Sequence, residues 1–102
     1  MKDCPFCSIE KKTEWFLKEK DLVVCEDLDS KNFKLRILVV FNGKPYHKPY
    51  ESYRAETIEY MLQKGIDVVN KLIQEGRINK IENIDISHFK VRDHFHLQIG
   101  VM

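Results

Sequence analysis

The fold of this chain is decided by the stretch Asp93-His94-Phe95-His96-Leu97-Gln98-Ile99-Gly100-Val101. Polar and apolar side chains alternate along it, and this period of two predicts a half-buried β-strand. The polar positions are His94, His96 and Gln98, which would stand about 7 Å apart on one face of the strand. The apolar positions would face a core, so we expect the ring of His96 to be partly exposed on the other face.

Composition limits the classes of protein that the chain can belong to. The 102 residues predict one domain over residues 1–102. Charged residues make up 32% of the chain but nearly cancel, with a formal net charge of +1, which favours neither nucleic acid nor an anionic membrane as a partner. The longest apolar run, Ile37–Phe41, is far too short to span a bilayer. No hydrophobic signal segment opens the sequence, so we expect a cytoplasmic protein.

The other elements follow from periodicity and turn signals. Apolar residues at steps of three and four predict one helix near Arg54–Glu75, closed by Gly76. Gly65 inside this helix suggests close packing on a sheet. Runs rich in β-branched and aromatic residues predict strands at Glu14–Lys20, Asp21–Asp27, Lys34–Phe41 and Lys80–Ser87. Together with the quoted stretch they predict an α+β fold, an antiparallel sheet of about five strands with Lys34–Phe41 central and the helix on one face.

The three cysteines divide into a pair and a single residue. Cys4 and Cys7 form a Cys-x-x-Cys motif, whose spacing suits one tetrahedral zinc ion. A redox pair and two unrelated thiols are the alternatives, although a redox pair normally lies between a strand and a helix. Cys25 lies among valines and is interpreted as a small core residue.

The alternating motif resembles that of the histidine-triad superfamily. Most members carry three histidines, whereas the branch that resembles galactose-1-phosphate uridylyltransferase carries glutamine in the third place, as Gln98 does here. The resemblance covers nearly the whole chain. The elements of the chain follow the family's order, which is a cysteine pair, strands, a histidine before a long helix, another strand and the motif strand.

The resemblance implies a structural zinc ion. In many members the cysteine pair binds zinc together with a histidine before the helix and the first motif histidine. Carried over to this sequence, the ligands are Cys4, Cys7, His47 and His94. A closed set of four ligands is typical of structural zinc, and in so small a domain it would contribute substantially to folding.

The resemblance also implies nucleotide chemistry. His96 is the family's nucleophile, attacking a nucleotide α-phosphorus to form a covalent nucleotidyl-histidine. Gln98 would hydrogen-bond the phosphoryl oxygens without offering a proton, which favours nucleotidyl transfer but leaves hydrolysis open. The implied partners are a nucleotide, a dinucleotide or a nucleotide sugar, and a second copy of the chain in a homodimer.

Further residues are candidates for substrate binding. An acidic residue after the second strand contacts ribose in the family, and Asp27 matches it best, although a turn-forming role is an alternative. Lys90 and Arg92 could offset charge on the phosphate, or remain solvated at the edge of the sheet. Two other functions stay open, a zinc-stabilised scaffold in which His96 is idle and a nucleotide-binding module, because fold does not fix function.

Overall fold

The computed structural model describes residues 13–27, 32–41, 54–86 and 96–102. They form five strands and one helix, which confirms the predicted α+β class. The elements are β1 (Trp15–Glu19), β2 (Leu22–Glu26), β3 (Leu35–Phe41), α1 (Ala55–Gln74), β4 (Ile81–Asp85) and β5 (His96–Val101). Within the described residues the motif strand β5 begins at His96, and His94 lies outside them.

All five strands belong to one antiparallel sheet with the order β1-β2-β3-β5-β4. Strand β3 is central, as predicted. Strand β5 inserts between β3 and β4, so the motif strand has hydrogen-bonded neighbours on both sides. The side chains of β5 are therefore held at fixed positions within the sheet rather than at a free edge.

One face of the sheet packs against α1, which contacts β2, β3 and β5. Leu97, Ile99 and Val101 of β5 point to this face and are fully buried, which confirms the predicted inward set among the described residues of the strand. Burying each side chain of this size contributes roughly 1.5–3 kcal/mol. From the helix, the buried residues are Met61, Gly65, Val68, Val69 and Leu72.

The C-terminal end of α1 is closed by Gly76, as the sequence predicts. Gly76 has a φ of 75°, in the left-handed region that glycine adopts without strain. Its N–H donates to the carbonyl of Ile73 at 3.0 Å, and the N–H of Arg77 donates to the carbonyl of Leu72 at 3.0 Å. This pair of bonds is a Schellman motif, which satisfies carbonyls that the helix leaves unpaired. In the described parts of the chain, no helix is both long and apolar enough to cross a membrane.

Gly65 is buried where α1 packs closely on the sheet, which bears out its predicted packing role. A Cβ atom added at this position would lie 2.8 Å from Cδ1 of Ile99 and 3.0 Å from Cγ2 of Val39. Both neighbours are buried side chains of the central strands. A methyl group at this position would therefore force either these two buried side chains or the helix itself to shift.

Replacing Gly65 with alanine should destabilise the protein despite the better helix propensity of alanine. Overpacking a core costs about 1–3 kcal/mol, against a gain of roughly 1 kcal/mol in propensity. The matched control is Asn70→Ala, at an exposed position of the same helix, which gains propensity without a clash. We expect the urea midpoint to fall for Gly65→Ala and to stay or rise for Asn70→Ala. Equal midpoints for the two variants would contradict the packing argument.

Candidate functional site

The face of the sheet opposite α1, called here the second face, carries a smaller apolar cluster. Its buried members are Val23, Cys25, Leu38 and Val40, and Trp15 packs against them. These residues alternate along their strands with the helix-facing core residues, as the period of two requires. The cluster forms an apolar floor across β2 and β3, beside which the polar residues of β5 are placed.

His96 and Gln98 both lie on the second face, as the alternation predicts. His96 is opposite Val40 on β3, and Gln98 is opposite Leu38. The expected partial exposure of His96 is wrong, because the residue is only 3% exposed. Alternation assigns a side chain to a face of a strand, but it does not determine how much of that face is covered.

Gln98 belongs to a hydrogen-bonded cluster with Asp27 and Arg36, called here the polar cluster. Nη2 of Arg36 donates to Oε1 of Gln98, and Nε2 of Gln98 donates to Oδ2 of Asp27 at 3.1 Å. Nε of Arg36 lies 3.9 Å from the same carboxylate oxygen. This distance is too long for a hydrogen bond between Nε and the carboxylate. The amide of Gln98 therefore links the Arg36 cation to the Asp27 anion.

Three adjacent strands hold the polar cluster in place. Asp27 directly follows β2, and its backbone N–H donates to the carbonyl of Arg36 at 2.8 Å, which extends the pairing of β2 with β3. The side chains of Arg36 and Asp27 are only 11% and 15% exposed. Water therefore screens their charges less than it would at an exposed site. Asp85 of β4 is the cross-strand partner of Gln98, so acidic residues lie on both sides of this amide.

Cys25, on the second face, is a buried thiol of low reactivity. It is 2% exposed, and burial raises the pKa of its thiol to about 11, with the nearby Asp27 carboxylate adding to the increase. A buried thiol with a raised pKa is a poor nucleophile. The interpretation of Cys25 as a core residue is confirmed.

The structure brings together three of the residues singled out in the sequence. Asp27, His96 and Gln98 share the second face, and the first and last of these are hydrogen-bonded. Six others lie outside the described residues: Cys4, Cys7, His47, Lys90, Arg92 and His94. Within the described ranges, no group of three or more His, Cys, Asp or Glu residues is arranged to hold a metal ion. Since all four predicted zinc ligands are outside those ranges, the zinc site stays a prediction.

Sequence reasoning missed Arg36, although a signal was present. Arg36 is the only charged residue between Leu35 and Phe41, inside the run Lys34–Phe41 that the sequence predicts as the central strand. A charge within a buried strand is costly unless a partner compensates it. That cost alone predicts an acidic or amide partner on a neighbouring strand, and here Asp27 and Gln98 take that role.

Comparison with known proteins adds no family to this description. No protein-family model matches the chain, and no curated protein matches it. The fold and the site define an α+β protein with a buried histidine and a polar cluster on the face of an antiparallel sheet opposite α1.

Proposed function

We propose that the chain is a zinc-containing, histidine-triad-like nucleotide hydrolase or nucleotidyltransferase that acts at a nucleotide α-phosphate through His96. One observation carries the proposal. Asp27 and Gln98 were singled out for different roles, at the ribose and at the phosphate, and their side chains lie 3.1 Å apart. They share a sheet face with the proposed nucleophile, which is two residues from Gln98 on β5.

The chemistry assigns a separate task to each residue. A nitrogen lone pair of neutral His96 forms a bond to the α-phosphorus, while the bond to the pyrophosphate or phosphate-linked leaving group breaks and that group departs with the electron pair. Water or a second phosphate then displaces the nucleotide from His96. The Asp27 carboxylate accepts hydrogen bonds from ribose hydroxyls, and the Gln98 amide donates to a phosphoryl oxygen.

Zinc has a structural role in this proposal. The donor set Cys4, Cys7, His47 and His94 has the Cys₂His₂ composition of closed structural sites. A zinc ion held there would link the first residues of the chain to the strand that carries His96. His94 would be committed to the metal, and His96 is the motif histidine that we propose attacks the nucleotide.

Mass spectrometry of the intact protein tests the proposal. The protein is mixed with a nucleoside triphosphate, a dinucleoside polyphosphate and a nucleotide sugar, each in turn. We expect at least one of them to add the mass of one nucleotidyl group, and mild acid to remove it because phosphoramidates are acid-labile. If all three leave the mass unchanged and none is turned over, the catalytic proposal fails.

A second candidate function is a nucleotide-binding module in which His96 does not react. The burial of His96 favours it, because a ring that is 3% exposed has to become accessible before it can attack a nucleotide. Under this alternative, nucleotides raise the melting temperature of the wild type and of a His96 variant by the same increment, and no adduct forms.

A further inference from the structure

We propose that Arg36 is a positioning residue that acts through Gln98. Together with Asp27, it holds the Gln98 carboxamide in the one orientation that leaves an N–H, and not the carbonyl, for a phosphate oxygen. The inference rests on the proposed function for the identity of the ligand, but it concerns a residue and a task that the sequence motif does not contain.

The partners of the amide leave only one favourable orientation. A guanidinium group has hydrogen-bond donors only, and an ionised carboxylate has acceptors only. Oε1 of Gln98 faces Arg36, and Nε2 faces Asp27 at 3.1 Å. Rotating the amide by half a turn would set the NH₂ group against the cation and the carbonyl against the anion, which replaces two attractive contacts with two repulsive ones.

The orientation decides how Gln98 can treat a phosphate. Nε2 carries two hydrogens, and within the described residues only the bond to Asp27 uses one of them. The second hydrogen is a donor, and phosphate oxygens are acceptors. In the flipped orientation the carbonyl oxygen would meet the phosphate oxygen and repel it. The Gln98 amide can either donate or accept a hydrogen bond, and Arg36 holds it in the orientation in which it donates to the phosphate.

The surroundings make the positioning effective. The Arg36 side chain is 11% exposed, so its hydrogen bond to Gln98 competes with little water. Arg36 and Gln98 are 62 residues apart in sequence but lie on the directly paired strands β3 and β5. A donor that is already held in place loses less conformational freedom when a ligand binds.

The test is a double-mutant cycle on phosphate recognition, with Arg36→Met, Gln98→Met and the double variant. The probes are uridine and uridine 5′-monophosphate, with the adenine pair in parallel. The ratio of the two dissociation constants isolates the contribution of the phosphate and does not require turnover. We expect the wild type to prefer the monophosphate and Arg36→Met to lose about tenfold of that preference.

Introducing Arg36→Met into the Gln98→Met protein distinguishes positioning of Gln98 from direct contact between Arg36 and the phosphate. If Arg36 acts through Gln98, Arg36→Met should change the preference no further once Gln98 is methionine. An equal loss in both backgrounds would mean that Arg36 contacts the phosphate itself, and it would overturn the inference. Should Arg36→Met fail to fold, Asp27→Ala removes the acceptor on the other side of the amide. It should lower the phosphate preference in the presence of Gln98 and leave it unchanged in Gln98→Met.

The outcomes for the two proposals are distinguishable. If the adduct forms but Arg36→Met has the phosphate preference of the wild type, the positioning role is rejected and the catalytic proposal stands. A preference lost through Gln98 without any adduct supports the positioning role and rejects catalysis. No preference for the monophosphate in the wild type rejects the positioning role outright.

Discussion

Replacing His96 with alanine should abolish the nucleotidyl adduct and turnover, and it should also lower the stability of the protein. The first effect follows from the loss of the only proposed nucleophile. The second follows from burial, because the ring is 3% exposed and its removal leaves a cavity. Truncating a buried side chain of this size costs about 2–4 kcal/mol, out of the roughly 5–15 kcal/mol by which small domains are stable.

Sequence alone leads to a different expectation for this variant. A partly exposed ring on a strand face would leave the melting temperature nearly unchanged. The structure replaces that expectation with a joint loss of stability and activity, so activity has to be compared per folded molecule. Adduct formation should be measured at a temperature at which circular dichroism shows the variant to be folded.

The matched control is Val40→Ala, at the cross-strand neighbour of His96. Val40 is fully buried, so its truncation also opens a cavity on the second face but removes no reactive group. We expect Val40→Ala to lower the melting temperature and still to form the adduct. An adduct on His96→Ala would place the nucleophile elsewhere, and equal nucleotide binding by both variants without any adduct would favour the binding module.

The fold was largely predictable from the sequence because its signals are local. A period of two marks the strands, a period near 3.6 marks α1, and Gly76 marks the end of that helix at a position that requires a positive φ. The pairing of β3 with β5 is not local, since it joins segments about 60 residues apart. Its result, β5 inserted between β3 and β4, was not specified by any strand on its own.

The site was predictable in its parts but not in its connections. The resemblance singled out Asp27 and Gln98, and the structure supplies the hydrogen bond between them. Arg36 went unrecognised because its hydrogen-bond partner Gln98 is 62 residues away in sequence. The burial of His96 went unrecognised because a strand pattern does not register what lies over a face.

Removing zinc should destabilise the protein by at least as much as replacing His96 with alanine. If zinc binds Cys4, Cys7, His47 and His94, protein purified without added metal should contain close to one equivalent. A ligand present at about 1,000 times its dissociation constant stabilises the folded state by about 4 kcal/mol. In a domain of this size that corresponds to about 15 °C or more in melting temperature. A chelator should produce this drop, and Cys4→Ser should reproduce it.

The control for this experiment is Cys25→Ser, and the structure changes how it is interpreted. Cys25 is 2% exposed among apolar neighbours, so a serine hydroxyl there costs about 1–3 kcal/mol of burial without removing a ligand. A lower melting temperature alone therefore does not identify a zinc ligand. Combining each variant with chelation does identify a zinc ligand. Effects on stability at independent sites add, whereas two changes that remove the same site do not. Chelation should lower the melting temperature of Cys25→Ser by the full wild-type increment and leave that of Cys4→Ser unchanged. A wild-type protein that melts at the same temperature with and without chelator, and contains no zinc, would reject the metal site.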